Sequence, residues 1–174
     1  MGELQHHNSA GDIMVTLRAM LAEELGDYRN IFITEYAQDL VSNSDYSAEK
    51  ALAYATHSFD NYLPEGVNSP SDHLFCIENR DNISGEEQLV GYLWYGLGKE
   101  DSAAFIKDFY VLPPCQRQGY GSACLAALEK QLIAQGVFEI KLRVAADNPQ
   151  AKRLYEKMAF AVTGFNMSKS LARK

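Results

Sequence analysis

Cysteine motifs, long apolar runs and targeting signals are all scarce in this sequence. Its three cysteines form no CxxC pair and stand near no histidine cluster, so neither a zinc site nor a disulfide framework is expected. No apolar run approaches the ~20 residues that cross a bilayer. The N-terminal stretch has no basic patch followed by an apolar segment. We therefore expect a soluble, cytoplasmic protein with no metal ion and no membrane partner.

The length and composition fit one folded domain. With 174 residues, of which 47% are hydrophobic and 22% charged, the chain is long enough for a full core and too short for two domains. We find no internal repeat, low-complexity tract or linker. A single domain over residues 1–174 is expected, with residues 1–11 flexible.

Charge is distributed unevenly along the chain. The net charge of −7 argues against nucleic acid as a partner, because phosphate backbones attract basic domains. Residues 1–106 hold 18 acidic and 5 basic residues, a net −13, whereas residues 107–174 hold 5 acidic and 11 basic residues, a net +6. This distribution predicts an anionic ligand on the second part and a cationic one facing the first, or else two solvated surfaces without ligands.

The first two thirds of the chain show the pattern of a strand, two helices and a meander. Apolar residues alternate over 13–17, as in a half-buried strand. Helical spacing follows over 21–41 and again over 47–62, where Ser47 is the expected N-cap. Three apolar segments then follow at hairpin spacing: HLFCIEN, LVGYLWYGL and AAFIKDFYVL. The last two are apolar on both faces, which predicts a sheet covered on both sides.

The remainder predicts a strand–helix–strand unit followed by a helix and a strand. After a glycine-rich turn, a helix is expected over about 121–135, with Gly136 as its C-cap and FEIKLRV as the next strand. A helix over about 149–158 and a final strand within AVTGFNMSKSL complete the pattern. The expected fold class is therefore α+β, or mixed α/β, with one βαβ unit.

The turn QRQGYGSA, residues 116–123, carries the first chemical signal. The amides of residues 117–122 would surround a helix N-terminus, where N–H groups have no intrahelical acceptor and the helix dipole favours anions. Gly119 and Gly121 would let the backbone approach a phosphate without a Cβ in the way, and Arg117 could add a charge-assisted contact. The alternative is an ordinary tight connection. The spacing fits neither a P-loop nor a dinucleotide-binding fingerprint.

Two segments, in this order, resemble the motifs of the GNAT superfamily of acyl-CoA-dependent N-acyltransferases. VLPPCQRQGYG resembles motif A, which is Gln/Arg-x-x-Gly-x-Gly/Ala after a strand, with Gln116, Gly119 and Gly121 at its fixed positions. Further along, LRVAADNPQAKRLYEKMAF resembles motif B. The residues at the expected spacing there are Asn148, Ala151, Leu154, Tyr155 and Phe160.

The resemblance covers residues 103–171 well and implies a fold and a cofactor. The implied fold is a central, mostly antiparallel sheet of six to seven strands, splayed between strands 4 and 5, with helices on both faces. The implied co-substrate is acetyl-CoA, with its pyrophosphate on motif A and its pantetheine arm in the gap between the splayed strands. The residues implied to bind it are Val111, Gln116, Arg117, Gln118, Gly119, Tyr120, Gly121, Ser122, Asn148, Ala151 and Tyr155.

The resemblance also implies an acyl transfer in which Tyr155 protonates the departing thiolate. A tyrosine, with an ordinary pKa of ~10, is matched as a general acid to a thiol of pKa ~8.5. A base must take the proton of the attacking amine, and Asp108 is the candidate because it lies on the strand that enters motif A. Glu78, at the end of an adjacent strand, is the other carboxylate considered.

Each of these roles has a structural alternative. Asn148 directly precedes Pro149, so it is suited to cap a helix without any ligand. Tyr155 shares a helical face with apolar residues, so it could be a core aromatic. Asp108 could be the partner of a nearby backbone group.

Two positions depart from the family pattern. Ala159 stands where the family most often has glycine, which would cost about 1 kcal/mol of stability if the position needs a positive φ. Gln118 stands where a basic residue is frequent, so that phosphate affinity would be weaker.

The implied function is N-acetylation of a primary amine, and the acidic first part of the chain bears on which amine. Its acidic residues and its tyrosines, Tyr28, Tyr36, Tyr54 and Tyr62 among them, suit a small cationic acceptor such as a polyamine or a lysine-like amine. The alternatives are a protein N-terminal or lysine acetyltransferase, and a non-catalytic module that binds coenzyme A. A homodimer and a monomer are both open.

Overall fold

Five strands and four helices make up the part of the chain that the structure describes, a computed structural model of residues 13–80, 85–98, 103–169 and 171. Residues 1–11, expected to be flexible, lie outside the described part. The elements follow in the order β1 (Val15–Ala19), α1 (Leu25–Asn43), α2 (Ala48–Tyr62), β2 (Asp72–Arg80), β3 (Glu87–Leu97), β4 (Ala103–Val111), α3 (Tyr120–Ala134), β5 (Glu139–Leu142) and α4 (Pro149–Lys157).

The strands form one sheet in the order β1-β2-β3-β4-β5. Strands β1 to β4 pair antiparallel with one another, and β5 pairs parallel with β4. Because a parallel neighbour requires a crossover, α3 connects β4 to β5 as the helix of a βαβ unit. The expected class, a mixed α/β fold with a mostly antiparallel sheet, is confirmed. The described sheet has five strands, slightly fewer than the six to seven expected.

The segment expected to be the final strand is irregular. Residues 161–169 form neither helix nor strand, and the side chains of Val162, Phe165 and Met167 are exposed by 55%, 85% and 94%. A strand is stabilised by pairing with a neighbour and by burial of one face. No strand of the described residues pairs with this segment, so its apolar pattern alone led to a wrong prediction.

Helices cover both faces of the sheet. Alternate residues of β3 point to opposite faces. On one face, Trp94 packs with Phe32 of α1 and Phe59 of α2, with ring centroids 5.4 Å and 5.8 Å from its own. On the other face, Leu93 belongs to a second core cluster with Leu128 of α3. The sheet is therefore covered on both sides, as its apolar strands predicted.

Two helix boundaries follow the capping residues expected from the sequence. At the start of α2, the Oγ of Ser47 accepts a hydrogen bond from the N–H of Lys50 at 3.4 Å. At the end of α3, Gly136 adopts a φ of +79°. The N–H of Val137 then donates to the carbonyl of Leu132 at 2.9 Å, as in a Schellman motif.

β4 and β5 are paired over only part of β4. Their ladder joins Ala103–Ile106 to Glu139–Leu142, whereas β4 continues beside β3 as far as Val111. Beyond Ile106, β4 therefore has β3 on one edge and no strand of the described residues on the other. This is the expected splay between strands 4 and 5, and it opens a gap in the sheet.

β4 also contains a β-bulge at Lys107. Trp94 of β3 pairs with Asp108, and Tyr95 pairs with Ile106, so that Lys107 has no partner of its own on β3. An extra residue shifts the alternation of side chains by one position. Asp108 therefore faces the same side of the sheet as its partner Trp94, which is the side that α1 and α2 cover.

None of the helices in the described part of the chain is both long and apolar enough to cross a membrane. Within the same residues, no three His, Cys, Asp or Glu side chains come together as metal ligands would. Cys76, Cys115 and Cys124 are buried free thiols.

Candidate active site

A cavity of about 510 Å³ lies in the gap beside the second half of β4. Its walls come from the end of β4, the turn before α3, the first turn of α3, the helix α4 and one residue of α1. The predicted site residues that line it are Val111, Gln116, Arg117, Gly119, Gly121, Ser122, Asn148, Ala151 and Tyr155. Motifs that are distant in sequence thus share one cavity, whose volume is typical of small-molecule pockets.

Three predicted residues lie outside that lining. The Nε2 of Gln118 donates to the carbonyl of Pro114 at 2.7 Å, so this side chain closes the turn. The ring of Tyr120 packs against the core on the α3 side of the sheet. A role for either residue in cofactor binding stays a prediction. Asp108 directly precedes the lining residue Phe109 on β4, and its charge acts on Tyr155 of the lining.

The free edge of β4 presents the backbone N–H of Val111 to the gap. Hydrogen-bonded pairs alternate along an antiparallel ladder. Leu112 donates its N–H to the carbonyl of Val90 at 2.9 Å, so the preceding residue, Val111, directs its N–H and C=O to the opposite edge. The carbonyl there accepts from the Nε2 of Gln116 at 3.0 Å. The N–H of Val111 therefore faces the edge of β4 that lies beyond the end of its pairing with β5.

The turn enters α3 through residues in the left-handed region. Arg117 has a φ of +60° and Gly119, the N-cap, a φ of +92°. The first helical bond runs from the N–H of Ala123 to the carbonyl of Gly119 at 3.1 Å, so the N–H groups of residues 120–122 have no intrahelical acceptor. Together with the guanidinium of Arg117 in the lining, these donors form a site that favours a phosphate.

Both glycines of the turn also have a packing role. A Cβ on Gly119 would lie 2.9 Å from the Cδ1 of Ile13, and a Cβ on Gly121 would lie 2.9 Å from the Cδ2 of Leu154. Gly121 therefore allows α3 and α4 to approach closely, and Gly119 adopts a backbone conformation that other residues rarely do. The same backbone is a tight connection and a suitable cradle for an anion.

α4 begins at a capped end that faces the cavity. The Oδ1 of Asn148 accepts from the N–H of Ala151 at 3.0 Å, and Pro149 occupies the first helical position. The capping alternative for Asn148 is therefore confirmed. Asn148 and Ala151 also line the cavity, so capping and ligand contact are compatible.

The end of α4 fixes the position of Tyr155. The N–H of Phe160 donates to the carbonyl of Tyr155 at 2.9 Å, and the N–H of Ala159 donates to the carbonyl of Glu156 at 3.1 Å. These are the two bonds of a Schellman motif, which commonly includes a side-chain contact between the same end residues. Here the rings of Tyr155 and Phe160 meet edge to face with centroids 5.5 Å apart. Ala159 has a φ of +65°, the left-handed conformation considered for this position.

The hydroxyl of Tyr155 is protonated at neutral pH. Burial, with smaller contributions from the charges of Asp108 and Cys124, raises the pKa of Tyr155 to about 12. Its ring packs against the apolar core on the α3 side, so the core alternative describes the ring correctly. Because the residue also lines the cavity, it can donate a hydrogen bond or a proton there.

Asp108 is a partly buried carboxyl group held from α1. The Oη of Tyr28 donates to the Oδ2 of Asp108 at 2.7 Å. Burial raises the pKa of Asp108 to about 6 and the charge of Glu35 contributes to the rise, whereas hydrogen bonds from Tyr28 and from the N–H of Phe109 oppose it. The backbone partner considered as an alternative is thus present as well. A carboxyl group with a pKa near neutrality is suited to proton transfer.

Glu78, the other carboxylate considered as a base, is paired elsewhere. Its Oε1 accepts from the Nε of Arg18 at 2.7 Å, and Arg18 also binds Glu24, whose pKa it lowers to about 2. These residues lie at the β1–β2 edge of the sheet, and Glu78 is not part of the cavity lining. The structure therefore does not support Glu78 as a base.

The four tyrosines expected to form an acceptor wall do not all share one surface. Tyr28 is fully buried, so it belongs to the core and binds Asp108. Tyr36 and Tyr54 are in contact, with ring centroids 6.2 Å apart. Tyr54 and Tyr62 are each about half exposed, and none of the four lines the cavity.

Three charged lining residues were not singled out from the sequence: Glu35 of α1, and Arg153 and Lys157 of α4. Glu35 lies two helical turns after Tyr28, on the same side of α1, and its charge acts on Asp108 and Tyr110. In the sequence it is one of many acidic residues in the first part. No spacing distinguishes it, because its place depends on how α1 packs against β4.

Comparison with known proteins identifies one family. The acetyltransferase (GNAT) family model matches residues 30–160. The uncharacterized N-acetyltransferase YycN of Bacillus subtilis (strain 168) is 31% identical over 159 residues, which are 90% of this chain and 99% of that protein. YdgE of the same bacterium, also an uncharacterized N-acetyltransferase, is 28% identical over 158 residues, or 90% of this chain and 98% of that protein.

Two solved structures have the same fold. The crystal structure of YycN matches with a TM-score of 0.82 and 31% identity, over 92% of this chain and 100% of that chain. Spermidine N-acetyltransferase from Vibrio cholerae, solved in complex with CoA and spermine, matches with a TM-score of 0.62 and 19% identity, over 87% of this chain and 83% of that chain.

Proposed function

The chain belongs to the acetyltransferase (GNAT) family, and from this premise we propose that it transfers the acetyl group of acetyl-CoA directly to a primary amine on a small cationic molecule. The observation that carries the proposal is the cavity beside β4, which joins the anion cradle before α3 to the hydroxyl of Tyr155. Asp108, with its raised pKa, interacts electrostatically with two residues of this lining, Glu35 and Tyr155.

The cradle fits the diphosphate of coenzyme A. The N–H groups of residues 120–122 are free to donate, and three basic side chains, Arg117, Arg153 and Lys157, line the same cavity. Donors and positive charge at a helix N-terminus stabilise a phosphate group. The N–H of Val111, on the open edge of β4, would pair with the amide-containing pantetheine arm as an additional strand residue does.

The chemistry of amide formation assigns a role to three groups of the chain. Acetyl-CoA, when bound, supplies an acetyl group activated as a thioester. A backbone N–H of β4 near Val111 would donate to the carbonyl oxygen as negative charge develops on it. Tyr155 holds a proton on Oη that it would transfer to the sulfur as the C–S bond breaks. Asp108 would accept the amine proton, directly or through water, as the N–C bond forms.

The charge on the α1 side of the cavity, away from the basic residues of the cradle and of α4, supports a cationic acceptor. Glu35 brings a carboxylate to the cavity from α1, and the part of the chain that contains α1 and α2 carries most of the negative charge. Such a field concentrates cations and opposes anions. Spermine, present in the Vibrio cholerae structure, makes polyamines reasonable first compounds to test.

The test is a measurement of amine-dependent thiol release from acetyl-CoA by the purified protein. Spermidine, lysine and a peptide with a free N-terminus represent the cationic and protein acceptors, and glutamate and a neutral amine represent the others. We expect turnover with a small cationic amine. Turnover of only neutral or anionic amines would contradict the acceptor class, turnover of the peptide alone would favour a protein acetyltransferase, and coenzyme A binding without turnover would indicate a binding module.

A further inference from the structure

Lys107, the bulge residue of β4, is held in a polar and aromatic box outside the cavity lining. Its Nζ lies 2.6 Å from the Oδ1 of Asp72, in a pair whose side chains are 25% and 9% exposed. The same Oδ1 accepts from the Nε1 of Trp94 at 2.7 Å. The ammonium group is also 4.9 Å from the ring centroid of Tyr62 and 5.4 Å from that of Trp94, within the range of cation–π attraction.

The side chain of Lys107 reaches Asp72 by crossing β3. Asp72 of β2 stands opposite Gly96 of β3, and Gly96 stands opposite Phe105 of β4. A Cβ on Gly96 would lie 2.9 Å from the Cε of Lys107 and 3.2 Å from its Nζ. The absence of a side chain at Gly96 therefore leaves the space through which the lysine connects β4 to β2.

This anchor acts on the residue next to Lys107. If a bulge moves by one residue along its strand, the side chains between its old and new positions turn to the opposite face of the sheet. The bulge at Lys107 sets Asp108 opposite Trp94, and Trp94 is itself part of the box. Asp108 consequently faces α1, where the hydroxyl of Tyr28 binds it at 2.7 Å.

We propose that Lys107 is a positioning residue for Asp108: its anchorage to Asp72 across Gly96 fixes the bulge and thereby holds the Asp108 carboxyl group against Tyr28 of α1. This proposal rests on the proposed function, in which Asp108 accepts the amine proton. Lys107 itself neither lines the cavity nor contacts the reacting atoms.

The groups that face Asp108 make the effect of the anchor measurable. They are Tyr28 and Glu35 from α1, the N–H of Phe109 and Tyr110 from β4, and Tyr155 from α4. If the anchor is lost and Asp108 turns towards solvent, the main cause of its raised pKa, burial, disappears and the pKa falls. If Lys107 acted on Asp108 only through its positive charge, removal of that charge would instead raise the pKa of Asp108. The two explanations therefore predict pKa shifts of opposite sign.

The experiment compares Lys107→Met and Gly96→Ala with wild type. Gly96→Ala retains the charge of Lys107 and obstructs only the space that its side chain crosses to reach Asp72. This variant therefore tests the anchor independently of the charge, and it can replace Lys107→Met if that variant does not fold. Lys141→Met on β5 is the matched control, because it removes the same charge from an exposed pair with Glu139. The first readout is the pH titration of the Asp108 carboxyl carbon by NMR, assigned with Asp108→Asn. The second is kcat and KM for acetyl-CoA.

We expect the titration midpoint of Asp108 to fall from near 6 towards the ordinary ~3.9 in both test variants and to stay unchanged in Lys141→Met. We also expect kcat to fall roughly ten- to a hundredfold with KM for acetyl-CoA unchanged, as a small misplacement of a catalytic group does. A midpoint that rises or stays at the wild-type value in both variants would overturn the positioning role. Absence of wild-type turnover with every amine would refute the proposed function instead, and the titration would still decide the role of Lys107.

Discussion

Tyr155 combines a ring packed against Phe160 with a place in the cavity lining, so its structural role and its proposed role as an acid can be separated by removing one oxygen. Tyr155→Phe keeps the ring contact and removes the proton donor. We expect kcat to fall about a hundredfold or more, with little change in the Kd for coenzyme A measured by calorimetry. Tyr120→Phe, which removes a hydroxyl outside the cavity lining, is the control. Wild-type kcat in Tyr155→Phe would leave this residue with a core role only.

The backbone conformation of Ala159 at the end of α4 lowers the stability of the fold. Its φ of +65° is a region where a Cβ is unfavourable, so Ala159→Gly should stabilise the fold by about 1 kcal/mol. Ala126→Gly, at an exposed position inside α3, should destabilise it by a similar ~1 kcal/mol, because there glycine only adds chain entropy. Urea denaturation of both variants measures the difference. Equal signs for the two changes would contradict the strain at Ala159.

At the scale of elements, the start of α3 is where the cradle can be tested. Gly119→Glu places a carboxylate and a Cβ among the free N–H groups, so we expect coenzyme A binding to be abolished through charge repulsion and steric exclusion. Gly136→Glu is the matched control, since Gly136 also has a positive φ but nothing lies within 4 Å of its missing Cβ. Binding by Gly119→Glu with wild-type affinity in calorimetry would contradict the cradle.

The gap that holds the cavity is itself a consequence of unequal strand lengths. β5 has 4 residues and β4 has 9, so the parallel ladder ends while β4 continues beside β3. The exposed edge then carries an unsatisfied N–H at Val111, which a ligand amide can pair with as a strand would. In the proposed function, the pantetheine arm would therefore bind the part of β4 that has β3 on one edge and no described strand on the other.

At the scale of the whole molecule, Asp108 makes folding stability depend on pH. Its folded pKa of about 6 lies above the ordinary value of 3.8, so between these values the folded state binds more protons than the unfolded state. The free energy of unfolding therefore falls as pH rises from about 4 to 6, and this contribution is constant above. Asp108→Asn retains an acceptor for Tyr28 and removes the dependence.

We expect the free energy of unfolding of Asp108→Asn, relative to that of wild type, to be higher at pH 8 than at pH 4. Urea denaturation at the two pH values measures this difference. Glu24→Gln should differ from wild type in the opposite sense and at lower pH, because Arg18 lowers the pKa of Glu24 from 4.5 to about 2. The stabilising contribution of Glu24 is complete above the ordinary value and is lost as pH falls towards 2, so the stability of Glu24→Gln should approach that of wild type over this acidic range. A difference between Asp108→Asn and wild type that is the same at both pH values would mean that Asp108 has an ordinary pKa in the folded protein.

The sequence by itself determined the features that depend on near neighbours. The cap at Ser47, the left-handed Gly136 and the hydrogen bond of Asn148 to the start of α4 all follow from side chains within a few residues of the backbone groups they serve. The spacing of apolar residues identified the described strands and helices, because this spacing also depends only on residues close together in sequence. The two cofactor motifs were recognisable because each is a continuous segment.

Only the tertiary structure decided which distant groups meet. In the tertiary structure, residues 161–169 have no strand partner among the described residues. Glu78 forms an ion pair with Arg18, and Glu35 lines the cavity. The tertiary structure also set the bulge that turns Asp108 towards α1. These outcomes depend on strand register and helix packing between segments dozens of residues apart, for which local spacing carries no information.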